Sequence, residues 1–200
     1  MHQQNAIHIK RNLLKQILLN NKHLFMATTK WTLDTAHSEL QFKVKHLMIT
    51  NVTGTFSIVS GAVETDDEKF SHAKVSFTAD PTSITTNNEQ RDGHLRTADF
   101  FETEKYPEIK FESQDFSATA GKIKGALTIK GVSKPVTLDV DFHGVHKDPW
   151  GNEKAGFSLS GKINRKEWNL NWNAALETGG VLVSDDVKII GEIQLAKQAA

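Results

Sequence analysis

The chain has 200 residues, of which 38% are hydrophobic and 24% are charged, and this composition is typical of one globular domain. It contains no cysteine, which excludes disulfides, zinc–thiolate sites and thiol nucleophiles. Its 24 basic and 24 acidic side chains cancel, so the net charge does not favour nucleic acid or an acidic substrate as a partner.

The first stretch of the chain, residues 1–29, differs in charge from the rest. It contains Lys10, Arg11, Lys15 and Lys22 and no acidic residue. Charges interrupt its apolar positions, so it has neither the apolar core nor the small-residue cleavage site of a secretory signal. We interpret residues 1–29 as a disordered or dispensable basic extension; the alternative is an amphipathic helix that lies on a membrane surface. Residues 30–200 are the predicted domain, and we expect it in the cytoplasm.

From Trp31 onward, apolar residues occupy alternate positions in one run after another, which indicates strands with one buried face. The runs cover residues 40–44, 56–63, 75–79, 109–111, 123–129, 136–142, 157–163 and 187–195. Short, turn-forming links separate many of them, and such links join antiparallel neighbours. We predict about eight strands after a short first one.

One segment, Thr86–Phe101, breaks this alternation and predicts a short helix inserted between two strands. Thr86 and Glu89 have the spacing of a capping box at a helix start. Asp92 and Arg96 have the spacing of an ion pair on one helix face. The apolar residues recur at helical spacing on the other face: Leu95, Ala98 and Phe101.

The strands must cover their own apolar faces, because one short helix is too small to do so. We therefore predict an all-β fold, a single antiparallel β-barrel, with a two-sheet sandwich as the alternative. The interior of an eight-stranded barrel is filled by side chains or holds one small ligand. Small inward residues indicate leftover space, or else bends and bulges in the strands: Ala79, Gly125, Gly161 and Gly191.

The alternation also assigns one set of large apolar side chains to the interior. They would line a tunnel or simply fill it. These predicted interior residues are Phe42, Val44, Phe77, Phe111, Leu127, Ile129, Leu138, Val140, Phe157, Leu159 and Ile189.

The chain offers few candidates for catalysis or metal binding. His143 and His146 are three residues apart, on opposite faces of a strand, with no third ligand nearby, so we do not expect a metal site. Two acid–histidine spacings are compatible with acid/base pairs but are interpreted as turn and helix-end hydrogen bonds: Asp34 with His37, and Asp92 with His94. No glycine-rich phosphate loop or nucleophile elbow is present. We predict no catalytic residue, no metal and no cofactor.

A set of motifs in this order and spacing resembles the YceI-like family of lipid-binding proteins, and the resemblance runs from about Trp31 to Leu195. The motifs are Asp34-x-x-His37-Ser38, Lys45-His46-Leu47, Gly54-x-Phe56, Arg91-Asp92-x-His94-Leu95, Tyr106-Pro107-x-Ile109-x-Phe111-x-Ser113, Gly125-x-Leu127-Thr128-Ile129-x-Gly131-Val132-x-Lys134-Pro135-Val136 and Arg165-x-x-Trp168-x-Leu170-x-Trp172.

The resemblance implies a lipocalin-like barrel with a long apolar tunnel that binds a polyisoprenoid or similar amphiphile, often as a homodimer. Many members are exported to the periplasm, a location that the absence of a recognisable signal does not favour here. The residues that we place at the head group or tunnel mouth are Arg91, His94, Leu95, Arg165, Trp168 and Trp172.

Three functional hypotheses follow. The first is a non-enzymatic carrier or store of a long isoprenoid, either a quinone or a prenyl phosphate, with transient contact to a membrane surface. The second is a fully packed interaction module without a cavity. The third is an enzyme that acts on a lipid through Asp92 and His94. In the first case we expect the helix to cover one barrel end, through Leu95, Ala98, Phe100 and Phe101, and to act as a lid.

Overall fold

The computed structural model describes residues 28–175 and 180–199. Its strands are β1 (Thr29–Leu33), β2 (Glu39–His46), β3 (Thr50–Thr65), β4 (Ala73–Thr85), β5 (Ile109–Phe116), β6 (Lys122–Ile129), β7 (Val132–Lys147), β8 (Glu153–Asn164) and β9 (Val183–Lys197). The helix α1 (Glu89–Arg96) lies between β4 and β5, and 3-10 turns occupy Thr35–His37, Ala118–Ala120 and Arg165–Trp168. The predicted all-β fold is confirmed. The predicted extension, apart from its last two residues, lies outside the described residues.

The strands close into one antiparallel barrel. Their order is β3-β2-β9-β8-β7-β6-β5-β4, and β4 pairs back with β3. The short β1 pairs with β3 and β9, the same two neighbours that β2 has further along. β1 and β2 therefore fill one position in succession, on either side of the turn Thr35–His37, so that nine strands make an eight-stranded barrel.

The two ends of the barrel are built differently. The base is formed by the β3–β4, β5–β6 and β7–β8 connections, and the mouth by the β2–β3, β4–β5, β6–β7 and β8–β9 connections. At the base, large buried side chains from several strands pack into one cluster that includes Trp31, Phe70, Phe116, Phe157 and Leu195. At the mouth, a second cluster joins the ends of β6 and β8 to the segment around α1. Within the described residues, no helix has the length and apolarity that a bilayer-spanning helix needs.

The predicted leftover space exists, and Ala79 borders it, but the glycines on the inner wall do not mark open positions. A Cβ on Gly125 would lie 2.5 Å from the ring of Phe111, and one on Gly191 would lie 2.9 Å from Cγ of Leu159. Large side chains of the neighbouring strands thus lie across the glycines. They rest against the wall because no Cβ is there to push them away.

The start of α1 corrects the predicted capping box. Asn88, not Thr86, is the N-cap, and its side chain accepts a hydrogen bond of 2.9 Å from the Arg91 amide. The Thr86 amide and hydroxyl both donate to Asp92 Oδ1 instead. Thr86 therefore lies outside the helix and is attached to it by its hydrogen bonds to Asp92.

The rest of the helix is also shorter than predicted. Asp92 is buried and does not pair with Arg96, whose guanidinium donates to the carbonyls of Thr82 and Ile84 at 2.8 and 2.9 Å. The helix ends at Arg96, and Ala98, which we expected to pack over the barrel end, is exposed. The chain turns away after Thr97, so residues beyond it do not continue the helical face.

Candidate functional site

The barrel encloses a cavity of about 680 Å³ that extends from the base cluster to the mouth. All of the strands β2–β9 contribute apolar side chains to its lining. The volume is within the roughly 300–1,000 Å³ range of small-molecule sites. The hypothesis of a fully packed module is wrong, because the interior is not filled by side chains.

Every one of the predicted interior residues lines this cavity, from Phe42 on β2 to Ile189 on β9. Leu127, Ile129 and Phe157 are buried in the wall, whereas others such as Val140 are only half-buried. A half-buried side chain that points inward has its exposed part in the cavity. The contact of these residues with a ligand stays a prediction.

Aromatic side chains crowd the mouth. The His94 ring meets Trp172 edge-on at a centroid distance of 4.8 Å and meets Phe100 at 5.2 Å. Phe101 packs in the same way on Phe56 of β3, at 5.5 Å. These contacts connect α1 and the chain after it with β3 and with the β8–β9 connection, and so narrow the mouth.

Arg91 and Asp92 hold α1 to the end of β4 through one residue, Thr86. Arg91 Nε donates to Thr86 Oγ1 at 2.7 Å, and Arg91 Nη2 donates to the Thr86 carbonyl at 2.8 Å. Burial of Asp92 raises the pKa of its carboxyl, but the hydrogen bonds from Thr86 and the charge of Arg91 outweigh burial and leave the pKa below its ordinary value. Asp92 is therefore an ionised anchor.

Arg165 fixes the β8–β9 connection from inside the mouth. It is 3% exposed, and it donates to the carbonyls of Ser184 (3.0 Å), Trp172 (2.8 Å) and Leu170. Its Nη2 atom makes no hydrogen bond within the described residues and lies 3.7 Å from Asp185 Oδ1, which also has no hydrogen-bond partner there. Burial lowers the pKa of Arg165, and Asp185 opposes that shift.

Each arginine and histidine predicted at the mouth has an acid beside it. His94 Nε2 is hydrogen-bonded to Asp99 Oδ2 at 2.9 Å, Arg165 faces Asp185, and Arg91 attracts Asp92 electrostatically. The polar end of the cavity thus presents hydrogen-bonding groups without a large excess of positive charge.

The predicted mouth residues do not all reach the cavity. Arg91, His94, Leu95, Arg165 and Trp172 line it. Trp168 does not, because its indole turns into the wall, where it is 1% exposed and Nε1 donates to the Leu127 carbonyl at 3.0 Å.

Sequence reasoning also missed part of the lining. Phe56 belongs to a predicted strand run but was not included in the interior set. The others lie in connections, where no two-residue period assigns a face, or, like Val183, at the very start of a strand. The missed residues at the mouth include Phe56, Leu170, Leu182 and Val183, whereas Phe100 and Phe101, which were expected over the barrel end, do line the cavity.

The acid–histidine spacings form no catalytic pair in the cavity. Asp92 is hydrogen-bonded to Thr86, and His94 is hydrogen-bonded to Asp99. Asp92 and His94 therefore make no hydrogen bond to each other. Asp34 and His37 form a hydrogen bond of 3.0 Å at an exposed turn, where a hydrogen bond from Lys154 is the main cause of the low pKa of Asp34. His143 is bonded to Ser158, and the described residues contain no group of three or more potential metal ligands.

Comparisons with known proteins agree with this architecture. The family model described as the YceI-like domain matches residues 31–195. A UPF0312 protein of Staphylococcus aureus strain N315 is 47% identical over 161 residues, which are 80% of this chain and 93% of that protein.

Two solved structures show the same fold. The YCEI protein of Campylobacter jejuni is 35% identical, with a TM-score of 0.63 over 84% of this chain and 97% of its own. A domain of Saccharophagus degradans described as polyisoprenoid binding has a TM-score of 0.61 over 84% of this chain and 98% of its own. At 16% identity, that second likeness concerns the fold alone.

Proposed function

The chain belongs to the YceI-like domain family, and on that premise we propose that it binds and carries a long-chain lipid in its interior cavity without acting on it chemically. The observation that carries the proposal is the apolar cavity of about 680 Å³, which extends from the packed base to the mouth beneath α1. The polyisoprenoid-binding description of the Saccharophagus degradans domain supports an isoprenoid as the ligand.

The lipid tail provides the affinity in this proposal. Each buried CH₂ contributes about 0.8 kcal/mol, so a buried stretch of about ten carbons contributes on the order of 8 kcal/mol before the entropic cost of association. The lining is apolar from Leu195 at the base to Leu170 at the mouth. The cavity therefore selects for length and flexibility of the tail rather than for specific atoms.

The polar end of the ligand lies at the mouth, and we propose that it is neutral. Arg91, His94 and Arg165 each have an acid nearby, with Asp185 shared between Arg165 and Lys166. A phosphate dianion would lose its hydration there without gaining a matching excess of positive charge. A quinone ring instead needs only hydrogen-bond donors, and no excess positive charge, for its carbonyl oxygens. This favours an isoprenoid quinone over a prenyl phosphate.

The catalytic alternative receives no support from the mouth, because Asp92 and His94 are engaged with different partners. These two residues have positioning roles instead. Asp92 holds the start of α1, and His94 packs between Phe100 and Trp172.

Extraction of purified protein with organic solvent, followed by mass spectrometry, tests the proposal. We expect an isoprenoid quinone or a related neutral lipid in the extract. Stripped protein should then take up a long-chain quinone more tightly than a prenyl phosphate of equal length. Protein that is repeatedly empty and takes up neither lipid would overturn the proposal, and preference for the phosphate would overturn the neutral head group.

Two tryptophan substitutions on one strand provide a matched pair for this test. Val140→Trp fills the cavity from β7, whereas Thr137→Trp adds the same side chain to the outer face of that strand. We expect the first to abolish lipid uptake and the second to leave it unchanged. Equal uptake by both variants would place the ligand outside the cavity.

A further inference from the structure

Exposed large hydrophobic side chains gather at one end of the barrel. Met48 is 57% exposed, Ile49 77% and Val181 40%, and all three lie at the mouth. In the described part of the chain the other such residue is Trp150, at the base, which is 84% exposed. We call Met48, Ile49 and Val181 the rim patch.

The rim patch borders the opening of the cavity. The loop between β2 and β3 is joined to the β8–β9 connection by a hydrogen bond of 2.8 Å from the Leu47 amide to the Leu182 carbonyl. Leu182, which follows Val181, and His46, two residues before Met48, both line the cavity. A surface that covered the rim patch would therefore face the cavity entrance.

The backbone of this loop is held in an uncommon conformation. Leu47 and Met48 have φ values of 53° and 60°, and the Ile49 amide closes the turn on the His46 carbonyl at 3.1 Å. Asn and Gly are the usual residues at such consecutive left-handed positions. Here large apolar residues occupy them, although neither folding nor solubility favours that choice.

A row of lysines lies on the outer wall below the rim patch. Lys188 on β9 is directly opposite Lys43 on β2 and also directly opposite Lys162 on β8. Lys162 is paired with Asp186 at 2.8 Å. Lys43, Lys45 and Lys188 make no ion pair within the described residues. Like charges that face each other across strands destabilise a sheet, so this row is costly unless something negative binds it.

We propose that the rim patch and the lysine row together dock the mouth of the barrel on an anionic lipid bilayer. Met48 and Ile49 enter the boundary between head groups and acyl chains, and Lys43, Lys45 and Lys188 meet the anionic head groups. Docking places the cavity entrance against the bilayer, so that a lipid tail passes from one apolar phase to the other without crossing water. The inference rests on the proposed lipid-binding function.

The charges favour a bilayer over a second copy of the chain. In a symmetric dimer through this surface, each protomer would bring the same lysines to its partner's identical surface. Their repulsion would oppose the contact, whereas the negative surface potential of a bilayer attracts them.

Vesicle sedimentation with the full chain tests the inference. We expect binding to vesicles of equimolar phosphatidylcholine and phosphatidylglycerol, and weaker binding to pure phosphatidylcholine or at high salt. The double variant Met48→Asp/Ile49→Asp should bind the mixed vesicles about tenfold or more weakly. The matched control is Trp150→Asp, which removes an exposed hydrophobic residue from the opposite end and should bind like wild type.

A second pair of variants tests the charges. Lys45→Gln/Lys188→Gln should weaken binding to the mixed vesicles by about thirtyfold while leaving the weak binding to pure phosphatidylcholine unchanged. Lys74→Gln/Lys124→Gln removes two exposed lysines from another part of the wall and should change neither.

The outcomes separate this inference from the lipid-binding proposal. Uptake of a quinone from detergent solution does not need a bilayer, so the Met48→Asp/Ile49→Asp variant should retain it. Normal uptake together with vesicle binding that is absent, or that the rim variant does not change, would overturn the docking inference alone. An equal loss of vesicle binding in the Trp150→Asp control would also overturn it. So would a rim variant that no longer forms a dimer but still binds vesicles. Vesicle binding without quinone uptake would instead overturn the lipid-binding proposal.

Discussion

The base and the mouth of this barrel are closed by different kinds of interaction. At the base, Trp31 and Phe70 are fully buried, and Phe70 contacts Phe142 and Phe157 at ring distances of 5.4 and 5.1 Å. At the mouth, hydrogen bonds from polar side chains and edge contacts of half-buried rings, such as His94 on Trp172, hold an eight-residue helix in place. One end is closed by the fold itself and the other by a segment attached to it.

This difference sets the relative cost of opening the two ends. Truncating a buried aromatic side chain costs about 3–5 kcal/mol, and the base cannot open without separating several of them. A hydrogen bond contributes about 0.5–1.5 kcal/mol net, and α1 also contains a glycine. The mouth therefore opens at lower free energy than the base, which suits a ligand that must enter and leave while the barrel stays folded.

The largest expected effect compares two tryptophans at opposite ends. Trp31→Ala at the base should lower the free energy of unfolding by about 3–5 kcal/mol. It should leave the rate of ligand exchange unchanged, because Trp31 does not line the cavity. Trp172→Ala at the mouth should lower stability less, because Trp172 is only half-buried, and should speed exchange. Urea unfolding and stopped-flow displacement of a bound quinone measure the two quantities. If both variants changed the free energy of unfolding and the exchange rate to the same extent, the two ends would not differ in the way described.

The next effect concerns the attachment of α1. Asp92→Ala leaves the buried Thr86 amide and hydroxyl without their acceptor, which should cost about 1–3 kcal/mol. Because the loss is local, hydrogen exchange should accelerate in residues 88–97 and not in the strands, and ligand release should become faster. Glu89→Ala, an exposed change in the same helical turn, is the control. Uniform acceleration across the strands would show that Asp92 supports the whole barrel.

Acid should loosen the mouth through the same residue. Hydrogen bonds from Thr86 outweigh burial, so the pKa of Asp92 is lower in the folded state than in the unfolded chain. Its stabilising contribution is therefore complete above the ordinary aspartate pKa of about 3.9 and is lost as the pH falls through the lower folded value. Ligand release should be constant from neutral pH down to about pH 4 and rise below it. Asp92→Asn should remove this pH dependence of ligand release. If release from the variant still rises below about pH 4, another carboxyl is responsible.

The sequence predicted correctly which side chains face the cavity within the strands, where residues alternate between two faces, and predicted them poorly in the connections. A strand presents alternate residues to one face whatever its register, so the interior set from Phe42 to Ile189 could be predicted without knowing which strands pair. In the connections no period assigns a face. Trp168 was expected at the mouth and turns into the wall, while Leu182 reaches the cavity without any signal in the sequence.

The helix start shows a second limit. Thr86 and Glu89 match the capping-box pattern, but Asn88 caps the helix and Thr86 bonds to Asp92. The spacing pattern does not reveal that Asp92 is buried, and burial decides which acceptor Thr86 uses. The lysine row is similar, because Lys43, Lys162 and Lys188 become neighbours only through the register of three strands.

A smaller effect is expected from Leu95, which lines the cavity but is only half-buried. Leu95→Ala should therefore cost less than the range of about 2–5 kcal/mol for a fully buried leucine, and should speed quinone exchange while the β-sheet circular dichroism stays the same. Ala98→Ser is the control, because Ala98 is exposed and does not share the packed face. Exchange at the wild-type rate in Leu95→Ala would mean that α1 is a passive plug.

The smallest effect has the opposite sign. Gly93 lies in the middle of α1, is exposed, and would have no atom within 4 Å of an added Cβ. Gly93→Ala should therefore stabilise the helix by about 0.5–1 kcal/mol, mainly by restricting the unfolded chain. If ligand release requires α1 to unfold, the same free energy is added to its barrier, and release should slow by about two- to fivefold. The other substitutions accelerate release by damaging packing or hydrogen bonds, which could also disturb the cavity wall. This one removes no contact, so slower release in Gly93→Ala, measured at the same quinone affinity for the closed state, would identify α1 itself as the gate.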